Sequence, residues 1–180
     1  MDNPTTLMVA IMYVTIISIG LSNLLMALSD IVGRRVVCPD KIHVSWLLLL
    51  TLAYFGFYWQ TTLILEVDNW QFLSFVAFLL GPVCLLFATN MLISMPEGDE
   101  QKREHFIDIS NRSFLLLALF FGWIVGLDVV TASVSSSTFT AALFATLCVL
   151  LMLSNAYRVQ KFGSYAAWVL MLVSMGLDVV

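Results

Sequence analysis

The chain has 180 residues, 61% of them hydrophobic and only 11% charged, and its mean hydropathy is +0.96. A soluble domain carries about a quarter charged residues, so this chain cannot keep its exterior wet, and lipid is the natural solvent for most of its side chains. The net charge of −4 comes with no basic run of the kind that marks a nucleic-acid footprint. Three cysteines without framework spacing point away from a disulfide scaffold.

A helix needs about 20 mostly apolar residues to cross a hydrocarbon core about 30 Å thick. Six windows meet that requirement, at about 6–29, 44–65, 70–94, 112–130, 138–156 and 163–179. The sequence therefore predicts an all-α membrane protein, a single domain formed by a bundle of six transmembrane helices.

The first window follows an acidic start, Met1-Asp2-Asn3-Pro4, which lacks the positive n-region of a secretory signal, so it is expected to stay as a helix. Within it Ser18 and Ser22 stand four apart with Gly20 between them, a spacing that lets another helix approach closely. Asn23 lies toward the end of this window, and Asp30 has Arg34 one turn further on, placed for an interfacial ion pair. In the polar loop that follows, Cys38 is the one cysteine outside an apolar run, whereas Cys84 and Cys148 sit inside such runs as small hydrophobes.

Trp46 opens the second window and Trp70 the third, where aromatic belts form at membrane boundaries. Gln60 lies in the most polar stretch of the second window, Tyr58-Trp59-Gln60-Thr61-Thr62. It either lines a wet cavity or bonds a neighbouring backbone. The third window contains Gly81-Pro82 near its middle, where proline removes a backbone donor and a kink is expected. Asn90, further along, is placed to hydrogen-bond Asn23, and this packing role is favoured over a substrate site.

The connection 95–110 is the longest, and its run of Asp, Glu, Lys and Arg suits a solvated cytoplasmic helix leading into the fourth window. The pentapeptide Gly-Leu-Asp-Val-Val occurs twice, at 126–130 and 176–180, and ends the fourth and sixth windows. Asp128 and Asp178 are then two carboxylates at equal depth, either a cation-attracting pair or two residues simply wetted at the interface.

All eight Lys and Arg residues fall in alternate connections or at the edge of a window: Arg34, Arg35 and Lys41; Lys102, Arg103 and Arg112; Arg158 and Lys161. Loops rich in Lys and Arg stay cytoplasmic, so both termini are expected outside, with Asp2, Glu66, Asp68, Asp128 and Asp178 giving an acidic outer face.

The inventory also excludes chemistry. His43 and His105 both lie outside the windows, so a haem held by paired intramembrane histidines has no ligands. No lysine lies within a window to carry a retinal Schiff base, and neither H-E-x-x-H nor G-x-x-x-x-G-K-[ST] occurs. His105 and Asp108 make one weak metal half-site and no more. No enzyme activity, cofactor or metal is expected.

Several stretches together resemble a family of uncharacterised bacterial six-span inner-membrane proteins. They are Gly20-Leu21-Ser22-Asn23-Leu24-Leu25, Val44 with Trp46, Trp59-Gln60, Asn69-Trp70-Gln71-Phe72-Leu73, Pro82, and Asn111-Arg112 with Phe114. The resemblance covers about the first two thirds of the chain. It implies the six-span fold and a multi-pass place in the bacterial inner membrane, and it lends no activity.

The leading functional expectation is a small channel or transporter with cation preference. It is expected as a homo-oligomer, resting on Gln60, the Pro82 kink and the paired aspartates. The alternative is a non-catalytic accessory or assembly subunit of a larger membrane complex. Partners are the lipid bilayer and either a second copy or another membrane protein, with no nucleic acid.

Overall fold

The computed structural model describes residues 4–33, 40–59, 71–94, 102–130 and 135–177. Six helices run through them: α1 (Pro4–Val32), α2 (Lys41–Trp59), α3 (Phe72–Ile93), α4 (Lys102–Val130), α5 (Ser136–Met152) and α6 (Tyr157–Leu177). Where no water reaches the backbone, a segment satisfies its own N–H and C=O groups best as a helix. Local residues fix some of the boundaries. Pro4 opens α1, where its missing N–H costs nothing. Asp40 caps α2 by accepting from the Ile42 N–H at 3.1 Å. Thr138 reaches back one turn to accept from the Ser135 N–H at 3.0 Å at the start of α5.

Four of these helices, α1 to α4, are long and apolar enough to cross a membrane, and α5 is apolar but shorter. Their outward faces carry Leu7, Met8 and Met26 on α1, Phe72, Leu73 and Leu80 on α3, and Leu115 and Leu119 on α4, all exposed. So much exposed apolar surface is foreign to a soluble monomer and belongs against lipid tails.

Helix α2 is the hub. It packs on α1, α3 and α6, while α4 packs on α3 and α5, and α5 on α6. The buried Ile42, His43, Trp46, Leu47, Leu49, Leu50 and Tyr54 wrap around α2 rather than forming one stripe, as befits a helix covered on most sides. Aromatic rings link α2 to α4 edge to face. Trp46 meets Phe114 at 4.8 Å, and Phe57 meets Phe120 at 5.0 Å.

The bundle has two differently packed sides. On the side of α1 and α3, Gly20 admits the Tyr54 ring from α2, and the Tyr54 hydroxyl meets Thr89 Oγ1 on α3 at 3.1 Å. On the side of α6, Ser45 and Ser164 share a hydrogen bond of 2.8 Å, and Trp168 Nε1 donates to the same Ser45 oxygen at 2.8 Å. Gly163 lets the side chain of Leu151 lie close where α5 turns into α6. The tight connection is tied by Gln160, whose amide donates to the carbonyls of Leu151 and Ser154, both at 2.9 Å.

The structure corrects the expectation for Trp46. It is only 1% exposed and packs in the core on Phe114, so it is not a boundary anchor facing lipid. Trp70 lies outside the described residues.

The starts of α2, α4 and α6 meet. Tyr157 donates to Asp40 Oδ2 at 2.9 Å, and the Arg103 guanidinium lies 4.6 Å over the Tyr157 ring. Of the described Lys and Arg residues, Lys41, Lys102, Arg103, Arg158 and Lys161 fall on these three helix starts, gathering at one end of the bundle, and Arg112 lies about three turns into α4. The charged residues from Lys102 onward form the first turns of α4, which runs on unbroken to Val130.

A methyl group at Gly20 would collide with the Tyr54 ring, whereas one at Gly122 meets nothing within 4 Å. Gly20→Ala is therefore expected to lose about 1–3 kcal/mol through overpacking. Gly122→Ala should match or exceed the wild type, because alanine favours a helix more than glycine does. Unfolding of the two variants in mixed micelles checks the contrast.

Candidate functional site

Asn23 and Asn90 do meet: Asn23 Nδ2 donates to Asn90 Oδ1 at 3.0 Å and joins α1 to α3. Beside this pair, Thr15, Ser18 and Ser22 line an open groove on the outward face of α1. The close helix approach falls at Gly20 and not at the two serines. Gly81 and Pro82 are both buried within α3. Pro82 has no N–H to offer the carbonyl one turn earlier, and at the neighbouring Ala77 carbonyl Trp123 Nε1 of α4 donates at 2.7 Å. A Cβ at Gly81 would occupy the space of the Trp123 indole. The Gly-Pro pair thus makes a seat for Trp123. Gln60, Asp178 and Arg34, the expected partner of Asp30, lie outside the described residues.

At the basic end, the fully buried His43 uses Nε2–H to donate to the Leu92 carbonyl and sets its ring 5.4 Å from Phe106. Its Nδ1 has no hydrogen-bond partner among the described residues. The Tyr157 phenol is pushed above its ordinary pKa, first by burial and then by the Asp40 carboxylate beside it. His105 Nε2 pairs with the Ser94 carbonyl at 3.0 Å and so closes the start of α4 onto the end of α3.

The fourth sequence candidate, Asp128, leads to a site of a different kind. It lies at the rim of a cavity of about 300 Å³ between α2, α4, α5 and α6, at the low end of the range for ligand pockets. The wall follows helical periodicity. On α4 it is Leu117, Phe120, Phe121, Ile124 and Asp128, and on α5 it is Ser137, Thr140, Ala141 and Phe144, spacings that share one helix face. The stretch from Leu117 to Asp128 rises about 16 Å along α4, so the cavity occupies much of the bundle's length.

Among the described lining residues, the side-chain oxygens lie at one end. Asp128 near the end of α4, Ser137 and Thr140 at the start of α5, and Ser174 near the end of α6 supply the side-chain oxygens there. Thr138 fixes the carboxylate by donating from Oγ1 to Asp128 Oδ2 at 2.5 Å. Away from that end the wall is carbon, with Phe57, Phe120, Phe121 and Phe144 among its rings and Met171 on α6. Phe121 stacks on Phe144 at 4.9 Å and meets Phe120 edge to face at 5.2 Å, so the aromatic wall is self-supporting. Trp46 closes the far end, near the start of α2, and its buried Nε1–H has no hydrogen-bond partner among the described residues.

Sequence reasoning singled out Asp128 but missed Ser137, Thr140 and Ser174. For Ser137 and Thr140 the available signal was their i, i+3 spacing on α5 beside an aspartate near the end of the preceding helix. No protein-family model, curated protein or solved structure matches the chain, so any reading of function rests on this geometry.

The asparagine pair is the clearest polar tie between two membrane-length helices. A double-mutant cycle with Asn23→Ala and Asn90→Ala should give a coupling of about 0.6 kcal/mol, the average for such pairs within membranes. Unfolding equilibria in mixed micelles measure it. A coupling of zero would mean the pair contributes orientation without stability.

Proposed function

We propose that this chain is a small multi-pass transport protein of the bacterial inner membrane that binds a cationic substrate within a single bundle. The observation that carries the reading is a ligand-sized cavity inside the helices with a carboxylate, Asp128, among its described lining residues. Ionisable residues at membrane depth are costly to maintain and mark substrate pathways and counter-ion sites. A carboxylate there attracts cations and rejects anions. Because the cavity lies within one chain, transport needs no pore between subunits, and self-association becomes a separate matter.

In this reading all six helices cross the membrane, with the basic end in the cytoplasm and Asp128 toward the outside. Support comes from the gathering of Lys41, Lys102, Arg103, Arg158 and Lys161 on the starts of α2, α4 and α6, since cytoplasmic loops hold such residues back. The substrate then meets the acidic rim first from the outer side.

Reconstitution into proteoliposomes with an inside-negative potential tests the transport reading. The cations to offer are sodium, potassium, choline and benzyltrimethylammonium. At least one is expected to enter faster than into protein-free liposomes, and Asp128→Asn should slow that uptake at least tenfold. Rates equal to the protein-free control for every cation would sink the proposal.

Orientation has its own test, in a background with the native cysteines replaced by serine. A cysteine at position 136, at the start of α5, should react with an impermeant maleimide in intact cells. One at position 102, at the start of α4, should react only after the membrane is permeabilised. The opposite pattern would invert the assignment.

A further inference from the structure

We propose that residues 72–80 of α3 form a hinged arm, which pivots at Gly81-Pro82 and is latched by the Trp123 side chain of α4. This goes beyond the transport reading and does not rest on it.

The two halves of α3 are held very differently. In the second half the buried Leu85, Ala88, Thr89 and Leu92 recur at helical spacing and share one face. Polar ties secure that half to α1 and α2. Thr89 meets Tyr54 at 3.1 Å, Asn90 accepts from Asn23 at 3.0 Å, and the Leu92 carbonyl accepts from His43. Every residue from 72 to 80 is instead exposed or half-buried, with Phe72 81% and Leu73 78% exposed. In water, apolar side chains of this kind would draw the segment back onto the bundle. In lipid they do not, because the tails solvate them as well as a neighbouring helix does. Specific contacts are left to decide where the arm lies.

Among the described contacts of the arm with other helices, Trp123 makes the polar one. Its Nε1 donates to the Ala77 carbonyl at 2.7 Å, and its indole meets the Phe78 ring edge to face at 5.8 Å. Phe78 also packs on the Tyr13 ring of α1 at 5.6 Å.

The pivot lies at the same level. Pro82 has no N–H to give to the carbonyl four residues earlier, and its ring crowds the preceding turn, so the helix bends most easily there. Gly81 makes room for the indole, which a Cβ at that position would strike. A bend at this point leaves the ties of the second half in place and is opposed by the Trp123 bond. Leu73 lies about 12 Å from Gly81 along the axis, so a pivot of about 20° carries it about 4 Å.

The latch also touches the cavity wall. Trp123 stacks on Phe120 with centroids 6.1 Å apart, and Phe120 lines the cavity. Release of the arm therefore frees one side of a ring that shapes that space.

Double electron–electron resonance on the full chain in lipid nanodiscs tests the arm, in a background with the native cysteines replaced by alanine. Spin labels at Leu73→Cys and Phe139→Cys report the arm against α5. Labels at Phe87→Cys and Leu150→Cys report the second half of α3 against the same helix, and all four positions are exposed. Two variants release the latch by different means: Trp123→Phe removes the donor and keeps a ring, and Gly81→Ala drives the indole from its seat. Each is expected to raise a population displaced by about 4 Å at the first pair, while the second pair stays unchanged. The rise should be about threefold, as the loss of one average interhelical hydrogen bond within a membrane allows. Adding Pro82→Ala to Trp123→Phe supplies the missing N–H and should return the first pair to the wild-type distribution.

Unchanged distances at the first pair in both variants would mean that Trp123 latches nothing, and the proposal fails. Equal broadening at both pairs would show a bundle loosened as a whole, with Trp123 an ordinary packing residue. If the displaced population persists with Pro82→Ala, the pivot is not at Gly81-Pro82. Either latch variant decides the matter if the other fails to fold.

Discussion

In contact with lipid, helices gain nothing by hiding apolar surface from one another, because the tails outside are as apolar as the neighbour. Close approach and internal hydrogen bonds are left to hold the bundle, and the architecture depends on where they occur. Gly20 brings α1 against the Tyr54 ring, whose hydroxyl reaches Thr89 on α3. Ser45, Ser164 and Trp168 do the corresponding work between α2 and α6. Thr89 also donates to the Leu85 carbonyl at 2.8 Å, so its hydroxyl both receives a partner and remains paired within its own helix. Helix α2 takes part in both the Tyr54 and the Ser45 ties, in keeping with its being covered on most sides.

The basic end is assembled by different forces. There the surface is wet enough for charge, and the starts of α2, α4 and α6 are joined by an aspartate, a tyrosine and an arginine. Tyr157 serves as the hinge of that group, since its hydroxyl binds Asp40 while its ring faces Arg103. Just beneath, His43 presents Nε2–H to the Leu92 carbonyl, at the end of α3 where a helix leaves acceptors unpaired. Charged and polar contacts thereby set the register of the same helices that glycines and hydroxyls hold together deeper in.

Much of this was legible in the sequence because it depends on length and composition. Apolar runs of membrane-crossing length foretell helices whatever the packing, and the alternation of Lys and Arg foretells which helix ends share a side. The Asn23–Asn90 contact could be anticipated because two amides in apolar runs have few other partners. The cavity could not. Its wall on α4 and α5 follows a helical repeat, yet leucine and phenylalanine cover the other faces too, so no contrast marks the face that lines a space. Trp46 misled for a related reason: a tryptophan at the end of an apolar run has the same sequence signature facing lipid or facing Phe114. The space opposite Gly81 depends on which residue of another helix arrives there, and local sequence carries no record of Trp123.

The unequal packing of the two sides has a mechanical consequence. Between α1, α2 and α3 the chain is filled by glycine-to-ring and hydroxyl contacts, while about 300 Å³ lies open among α2, α4, α5 and α6. A filled region transmits stress as a rigid body, whereas a void is what compression removes first. Hydrostatic pressure, or a rise in lateral pressure within the bilayer, therefore acts unevenly on this protein. The packing around the cavity is expected to yield before that of the first three helices.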